Sequence, residues 1–177
     1  MILKRASEVL RIEAKAVEGL VPRLGDGFVR AVRLVAACRG RVVVSGMGKG
    51  GLIGQKISAT LSSLGTPSLW LHCAEAIHGD LGRLRREDVI IVLSNSGETD
   101  EVRRLLPLIK KIGAKIIAIT GNVRSTLARY SDFVLDAGVR KEACSLGLAP
   151  TSSTTAMLAL GDALAVCVVE EKGFRRE

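Results

Sequence analysis

Ser94-Asn95-Ser96-Gly97-Glu98-Thr99 packs three hydroxyl side chains and a carboxylate into six positions, directly after the apolar run Val89-Ile90-Ile91-Val92-Leu93 and directly before a segment with helical apolar spacing. Hydroxyls and the free N–H groups of a helix start are the groups that hold a phosphate dianion, which also gains from the positive end of the helix dipole. Ser96 and Thr99 are equally ordinary helix-capping residues, so this stretch by itself supports either reading. A second stretch, Gly46-Met47-Gly48-Lys49-Gly50-Gly51, sets a lysine among glycines that let the backbone approach a ligand. It fits GxGxxG, but the next strand runs into His72 and Cys73 where a dinucleotide site needs an acidic residue, and Lys49 is not followed by the Ser or Thr of a P-loop. No cofactor and no metal is expected.

These loops need elements to position them. Ala6, Val9, Leu10, Ala14, Val17 and Leu20 recur at three- and four-residue spacing, which predicts a helix with that face buried, ended by Pro22 and Gly25. A second helix is expected over 26–38, with Phe28, Val32, Val35 and Ala36 inward. Strands are expected over 41–45, 68–71, 89–93, 115–120 and 132–136, with 46–51 as a loop before a helix over 52–64. Residues 74–86 read as a short helix and a loop. The helix carrying Val102, Leu105, Leu106, Ile109 and Ile112 holds Pro107, which predicts a kink or break costing roughly 3 kcal/mol. A short helix over 125–130 and a long one after 151 complete the chain. Strand, small-residue loop and helix occur twice, over 42–64 and 89–112. In a doubly wound sheet such units are neighbours, and their loops line one crevice, which brings Lys49 toward Ser94–Thr99.

At 177 residues, with 47% hydrophobic but 3% aromatic residues, the chain suits one domain whose core is Val, Ile, Leu and Ala, as in a covered parallel sheet. That domain, 1–177, divides into two N-terminal helices (4–39), sheet and crossover helices (41–136), and an active-site segment with the last helix (141–172). The formal charge of +8 is dispersed, with few aromatics to stack on bases, so small anionic ligands are expected and nucleic acid is not. Four scattered cysteines form no CxxC pair, and the N-terminus lacks the apolar core of a signal peptide. The longest apolar stretch, 163–169, is too short for a bilayer, so a cytoplasmic protein without membrane association is expected. The last helix is apolar nearly all round from Ala156 to Val169, interrupted by Asp162, which predicts that it fills a subunit interface.

Four segments, GMGKG at 46–50, HGDLG at 78–82, SNSGET at 94–99 and KEACSLGLAPTSSTT at 141–155, resemble the sugar isomerase (SIS) family over nearly the whole chain. HGDLG together with EACSLGLAPTSSTT is similar to the family's arabinose 5-phosphate branch. The resemblance implies an α/β fold, a flavodoxin-like three-layer sandwich with a five-stranded parallel sheet, assembled as a homotetramer. It implies an aldose–ketose isomerase that interconverts D-ribulose 5-phosphate and D-arabinose 5-phosphate through an enediol, the first step toward the lipopolysaccharide sugar Kdo. On the family's pattern the phosphate is held by Ser94, Asn95, Ser96 and Thr99, with Thr151, Ser152 and Ser153 closing over the phosphosugar, and Gly46, Gly48 and Gly97 shaping the loop backbone.

Such an isomerisation needs a base over the carbon and an electrophile near the developing oxyanion. Glu142 is the first choice as base, because an irregular segment can desolvate a carboxylate and raise its pKa toward neutrality. The other candidates are Glu98 for proton transfer, Lys49 for enediolate or phosphate charge, and His78 for ring opening; His72 matches no motif and reads as structural. Plainer roles remain open: Glu142 paired with Arg140 or Lys141, Glu98 as a first-turn residue favoured by the dipole, and Lys49 as a solvated side chain. The family's pattern continues into a histidine in an HPGG segment and often two CBS modules, whereas this sequence ends at Phe174-Arg175-Arg176-Glu177, so a catalytic domain without CBS modules is expected. Two alternatives stand beside this reading: 6-phospho-3-hexuloisomerase, and a sugar-phosphate sensor that binds without catalysis.

Overall fold

Five runs of mainly apolar residues pair edge to edge as β1 (Val42–Gly46), β2 (Ser68–His72), β3 (Val89–Leu93), β4 (Lys115–Thr120) and β5 (Phe133–Asp136). Every pairing is parallel and the spatial order is β2-β1-β3-β4-β5, the flavodoxin-like arrangement expected. The structure is a computed structural model that describes residues 1–173; the closing residues 174–177 quoted above lie outside the described part.

Side chains alternate across a strand, so each run feeds two cores. Val42, Val44, Ile91, Leu93, Ile117 and Ile119 face one, which α2 (Asp26–Ala36), α3 (Gly48–Ser63) and α7 (Ser152–Glu171) cover. Val43, Ile90, Val92, Ile116 and Ala118 face the other, under α4 (Cys73–Ile77), α5 (Asp100–Ile112) and α6 (Thr126–Tyr130). The first helix, α1 (Ile2–Glu18), lies outside this sandwich and packs on α7.

Three local expectations are corrected. In α1 the half-buried side is Val9, Ile12, Ala16 and Val17, while Ala6, Leu10 and Ala14 are exposed, because α1 offers only one stripe to α7 and the apolar residues spread wider than that stripe. The loop after β1 is shorter than 46–51, since α3 begins at Gly48 and Lys49 already stands in its first turn. Helix α5 runs through Pro107 without the break, one of the two outcomes expected, and Pro107 sits on the exposed side opposite the buried Val102, Leu105, Leu106 and Ile109. Packing of that quartet on the sheet outweighs the one lost backbone bond.

The apolar circumference of α7 has a cause within the chain: α3, α2 and α1 surround it. What turns outward is a half-exposed seam at Leu158, Ala163, Val166 and Val169. By length and composition α7 could cross a membrane, at 20 residues with a mean hydropathy of 1.6, which residues 163–169 alone understate; half of that span is buried in the fold, as in a core helix. It packs most extensively on α3, where a Cβ on Gly161 would overlap the buried Ile57 side chain.

Gly161→Leu is therefore expected to destabilise the fold by about 3 kcal/mol, the upper end of overpacking costs, despite leucine's better helix propensity. Urea unfolding measures it, and an unchanged midpoint would show that the α3–α7 seam can open.

Candidate active site

The neighbouring strands β1 and β3 send their helices, α3 and α5, to opposite faces of the sheet, and a crevice opens between the two strand ends. Met47, Lys49 and Gly50 form one lip; Leu93, Ser94, Asn95, Ser96 and Thr99 form the other. Pro150 and the first turns of α7, through Ser153, Thr154 and Met157, close the third side around a volume of about 320 Å³. That is the lower end of the range for ligand pockets and suits a small metabolite.

The turn at Ser94–Thr99 is braced by its own hydroxyls. Ser94 Oγ accepts the Gly97 N–H at 3.0 Å and shares a hydrogen bond with Thr99 Oγ1 at 2.9 Å, while Ser96 Oγ accepts the Glu98 N–H at 3.1 Å. Gly97 adopts φ +66°, where a side chain would be strained and would also overlap Ser125. The Asn95 carbonyl accepts from Gly121 N at 3.0 Å, which ties the turn to the end of β4. The N–H groups of Asn95, Ser96 and Thr99 donate to no protein acceptor among the described residues, which leaves them for an anion. Across the crevice Lys49 is exposed in the first turn of α3, just after Gly48 at φ +54°, while Gly46 ends β1 with no room for a Cβ beside the Leu93 carbonyl. A cation at a helix N-terminus opposes the dipole by about 0.3–1 kcal/mol, so fold stability does not account for Lys49.

The α7 side differs from the expected second phosphate cradle. Glu142 Oε2 accepts from Thr151 N at 2.8 Å, Thr151 Oγ1 at 3.0 Å and Ser153 N at 3.3 Å, so a resident carboxylate already occupies the donors at the start of α7. Burial pushes the Glu142 carboxyl up, but the nearby Ser153 hydroxyl first, then the Thr151 and Ser153 N–H groups and the Thr151 hydroxyl, outweigh it and hold it below the usual glutamate range, which corrects the expectation of a raised pKa. It is paired with neither Arg140 nor Lys141. Of Thr151, Ser152 and Ser153, only Ser153 lines the crevice. Its hydroxyl is buried near the Glu142 carboxylate but makes no hydrogen bond of normal geometry among the described residues, and neither does the buried Ser152 hydroxyl.

Glu98, His78 and Glu142 do not line the crevice, and Glu142 is tied to its wall through the Ser153 N–H. Glu98 Oε1 accepts the Thr126 N–H of α6 at 2.7 Å and Oε2 lies 3.6 Å from Arg103; the Thr126 contact first, then Arg103, holds its carboxyl below the usual range. It acts as an exposed cap on a helix from another part of the chain. His78 is the exposed C-cap of α4.

Sequence reasoning missed Pro150, Thr154 and Met157, although with Ser153 they follow the i, i+3, i+4, i+7 spacing of one helix face. It also missed two anchors from α1, the 2.6 Å bond from Arg5 Nη2 to the Ala143 carbonyl and the 2.9 Å bond from Thr155 Oγ1 to Glu13 Oε2. No local signal announces contacts that span 138 and 142 residues.

The profile of the SIS domain family matches residues 36–167. The arabinose 5-phosphate isomerase KdsD of Pseudomonas aeruginosa is 54% identical over 172 residues, 97% of this chain and 53% of the relative. KdsD of Escherichia coli K12 is 49% identical over 96% of this chain and 52% of the relative. The chain thus spans about half the length of the curated relatives it matches. The solved structure of E. coli CFT073 c3406 in complex with arabinose 5-phosphate superposes with a TM-score of 0.94 at 40% identity, covering 99% of this chain and 93% of that one.

Two measurements follow from the charges. Lys49→Met is expected to leave the urea midpoint unchanged or slightly raised while weakening binding of a phosphorylated sugar at least 10-fold; loss of stability instead would make Lys49 structural. Because the folded pKa of Glu142 is depressed, its charge adds stability above the ordinary glutamate pKa, and that stability is lost as the pH falls through the folded value. Glu142→Gln should therefore be less stable than the parent at neutral pH, by about 1 kcal/mol as for a lost helix cap, and the two should converge on acidification.

Proposed function

The chain belongs to the SIS domain family, and from that premise we propose that its crevice catalyses the interconversion of D-ribulose 5-phosphate and D-arabinose 5-phosphate. The observation that carries the reading is Glu142. All three of its hydrogen bonds of normal geometry end on Oε2, which holds the Ser153 that lines the crevice, while Oε1 makes none among the described residues. An ionised carboxylate fixed through one oxygen to the wall of a crevice that carries a hydroxyl turn supports an enediol isomerase, which needs such a base.

In this reading the open N–H groups and hydroxyls of Ser94–Thr99 hold the phosphate, and Lys49 offsets the charge that develops on the substrate oxygen. Glu142 takes the proton from carbon 1 of the open-chain ketose and returns it to carbon 2, while the neighbouring hydroxyl and carbonyl exchange their hydrogen through the enediol. The carboxylate loses no hydrogen-bonded partner in doing so, because Oε2 stays fixed to α7. A metabolic place at the start of Kdo formation, a cytoplasmic location and a tetramer with the outer seam of α7 in an interface belong to the same proposal. Four free cysteines and the exposed Val166 are in keeping with the last two.

Incubation with D-ribulose 5-phosphate in deuterated water, followed by NMR, tests the reaction. Aldose carrying deuterium at carbon 2 is expected; binding with neither aldose nor label would leave a sugar-phosphate sensor. Ser96→Ala should weaken sugar binding about 10-fold, and Glu142→Gln should lower kcat at least 100-fold with little change in affinity. With Glu142 held low, kcat at saturating substrate, which unlike kcat/KM does not carry the free phosphate's own titration at about pH 6, should stay level from neutral pH down to the ordinary glutamate range, and an acid limb in kcat near neutrality would overturn its role as base.

A further inference from the structure

A groove of about 1280 Å³ lies between α1 and the strap Gly138-Val139-Arg140-Lys141, on the outer side of the chain segment that leads into Glu142. It has four times the volume of the crevice, so a pentose phosphate would not fill it. Its walls carry Lys4, Arg11, Lys15, Arg23, Arg140 and Lys141, and its floor is the apolar Ile12, Ala16, Pro22 and Val139. Arg23 is paired with Asp136 at 3.0 Å. The other five cations have no carboxylate within salt-bridge range among the described residues. Of the groove's two acids, Glu8 is bonded to Arg5 at 2.8 Å and feels Lys4 and Lys141 as well, so Glu8 and Glu18 stand against five cations that no carboxylate pairs directly. Five like charges around an apolar floor repel one another and gain only when an anion enters.

We propose that this groove binds a small polyanion, a molecule bearing several phosphate or carboxylate groups, and that its occupancy is felt in the crevice. The strap is fixed at Gly138, whose N–H bonds Asp136 at 2.8 Å, and again at Ala143, held by Arg5 and by Thr151. Between those anchors Val139, Arg140 and Lys141 make no backbone hydrogen bond among the described residues, so the strap follows whatever pairs with Arg140 and Lys141. The next residue is Glu142, whose carboxylate positions Thr151 and Ser153. A charge bound in the groove and a ligand in the crevice thus pull on one short segment from its two sides.

The groove's binding stands apart from the reaction assigned to the crevice; the coupling rests on that assignment. Inorganic tripolyphosphate is titrated calorimetrically into the full chain at fixed ionic strength, with and without excess D-arabinose 5-phosphate. One tripolyphosphate per chain is expected under both conditions, bound at least 10-fold more weakly by the double variant Arg11→Glu, Lys15→Glu and equally well by Ser96→Ala. Binding that vanishes when the sugar is present, or that ignores the charge reversals, overturns the groove site. The charge-reversal comparison without sugar keeps that outcome independent of the crevice. Light scattering should find the double variant in the parent's assembly; a changed assembly would mean that a second copy of the chain occupies the groove, and would overturn the proposal as well. Saturating tripolyphosphate should shift the affinity for D-arabinose 5-phosphate several-fold, with the reciprocal shift for tripolyphosphate, and no shift overturns the coupling.

Discussion

Parallel pairing of β1 with β3, Val42 against Val89 through to Gly46 against Leu93, is the constraint from which the site follows. Two strands that are adjacent but not consecutive must be joined through β2 and helices, and right-handed crossovers carry α3 and α5 to opposite faces. Their loops cannot then close over the strand ends, and the gap they leave is the crevice. Nothing at the crevice needs an unusual side chain to create it. Chemistry is supplied by what the strand ends release into the gap: a glycine and a lysine from β1, a hydroxyl turn from β3.

This is why so much of the fold was legible in the sequence. Runs such as Val89–Leu93 and Lys115–Thr120 are apolar on both faces and bounded by polar residues, so their extent and the sheet class can be read locally. The repeated unit of strand, small-residue loop and helix then brought Lys49 and Ser94–Thr99 together correctly. The carboxylates were not legible in the same way. What Glu98 does is decided by Thr126, 28 residues away, and what Glu142 does is decided by a helix start nine to eleven residues on. A motif records that a carboxylate is present; its partners, which set its charge and direction, lie in parts of the chain that only folding brings near. The outward face of α1 and the intrachain cover of α7 were hidden for the same reason, since periodicity identifies an apolar stripe without identifying its neighbour.

Segment 141–150 has little regular structure, yet it is held at several points. Arg5 fixes Ala143, Glu142 fixes Thr151 and Ser153, and Glu13 of α1 holds Thr155 one turn further along α7. The N-terminal helix, remote from the crevice in sequence and built outside the sandwich, is therefore part of the scaffold that holds the third wall. A helix with no fully buried residue would contribute little to the core. Its worth lies in these polar ties to the wall.

The carboxylate resident at the start of α7 also gives the crevice a polarity. Two helix starts, those of α5 and α7, face the same small volume, and by the dipole argument alone either would accept a phosphate. With Glu142 seated on one of them, a dianion entering there meets a like charge at close range, whereas at α5 it meets open N–H groups and Lys49 across the gap. In the proposed reaction a phosphorylated sugar would enter in one direction, tail toward α5 and reactive head toward the carboxylate. On that proposal head and tail would be sorted by electrostatics before any hydroxyl is recognised, the wrong orientation being rejected by the same group that serves the right one.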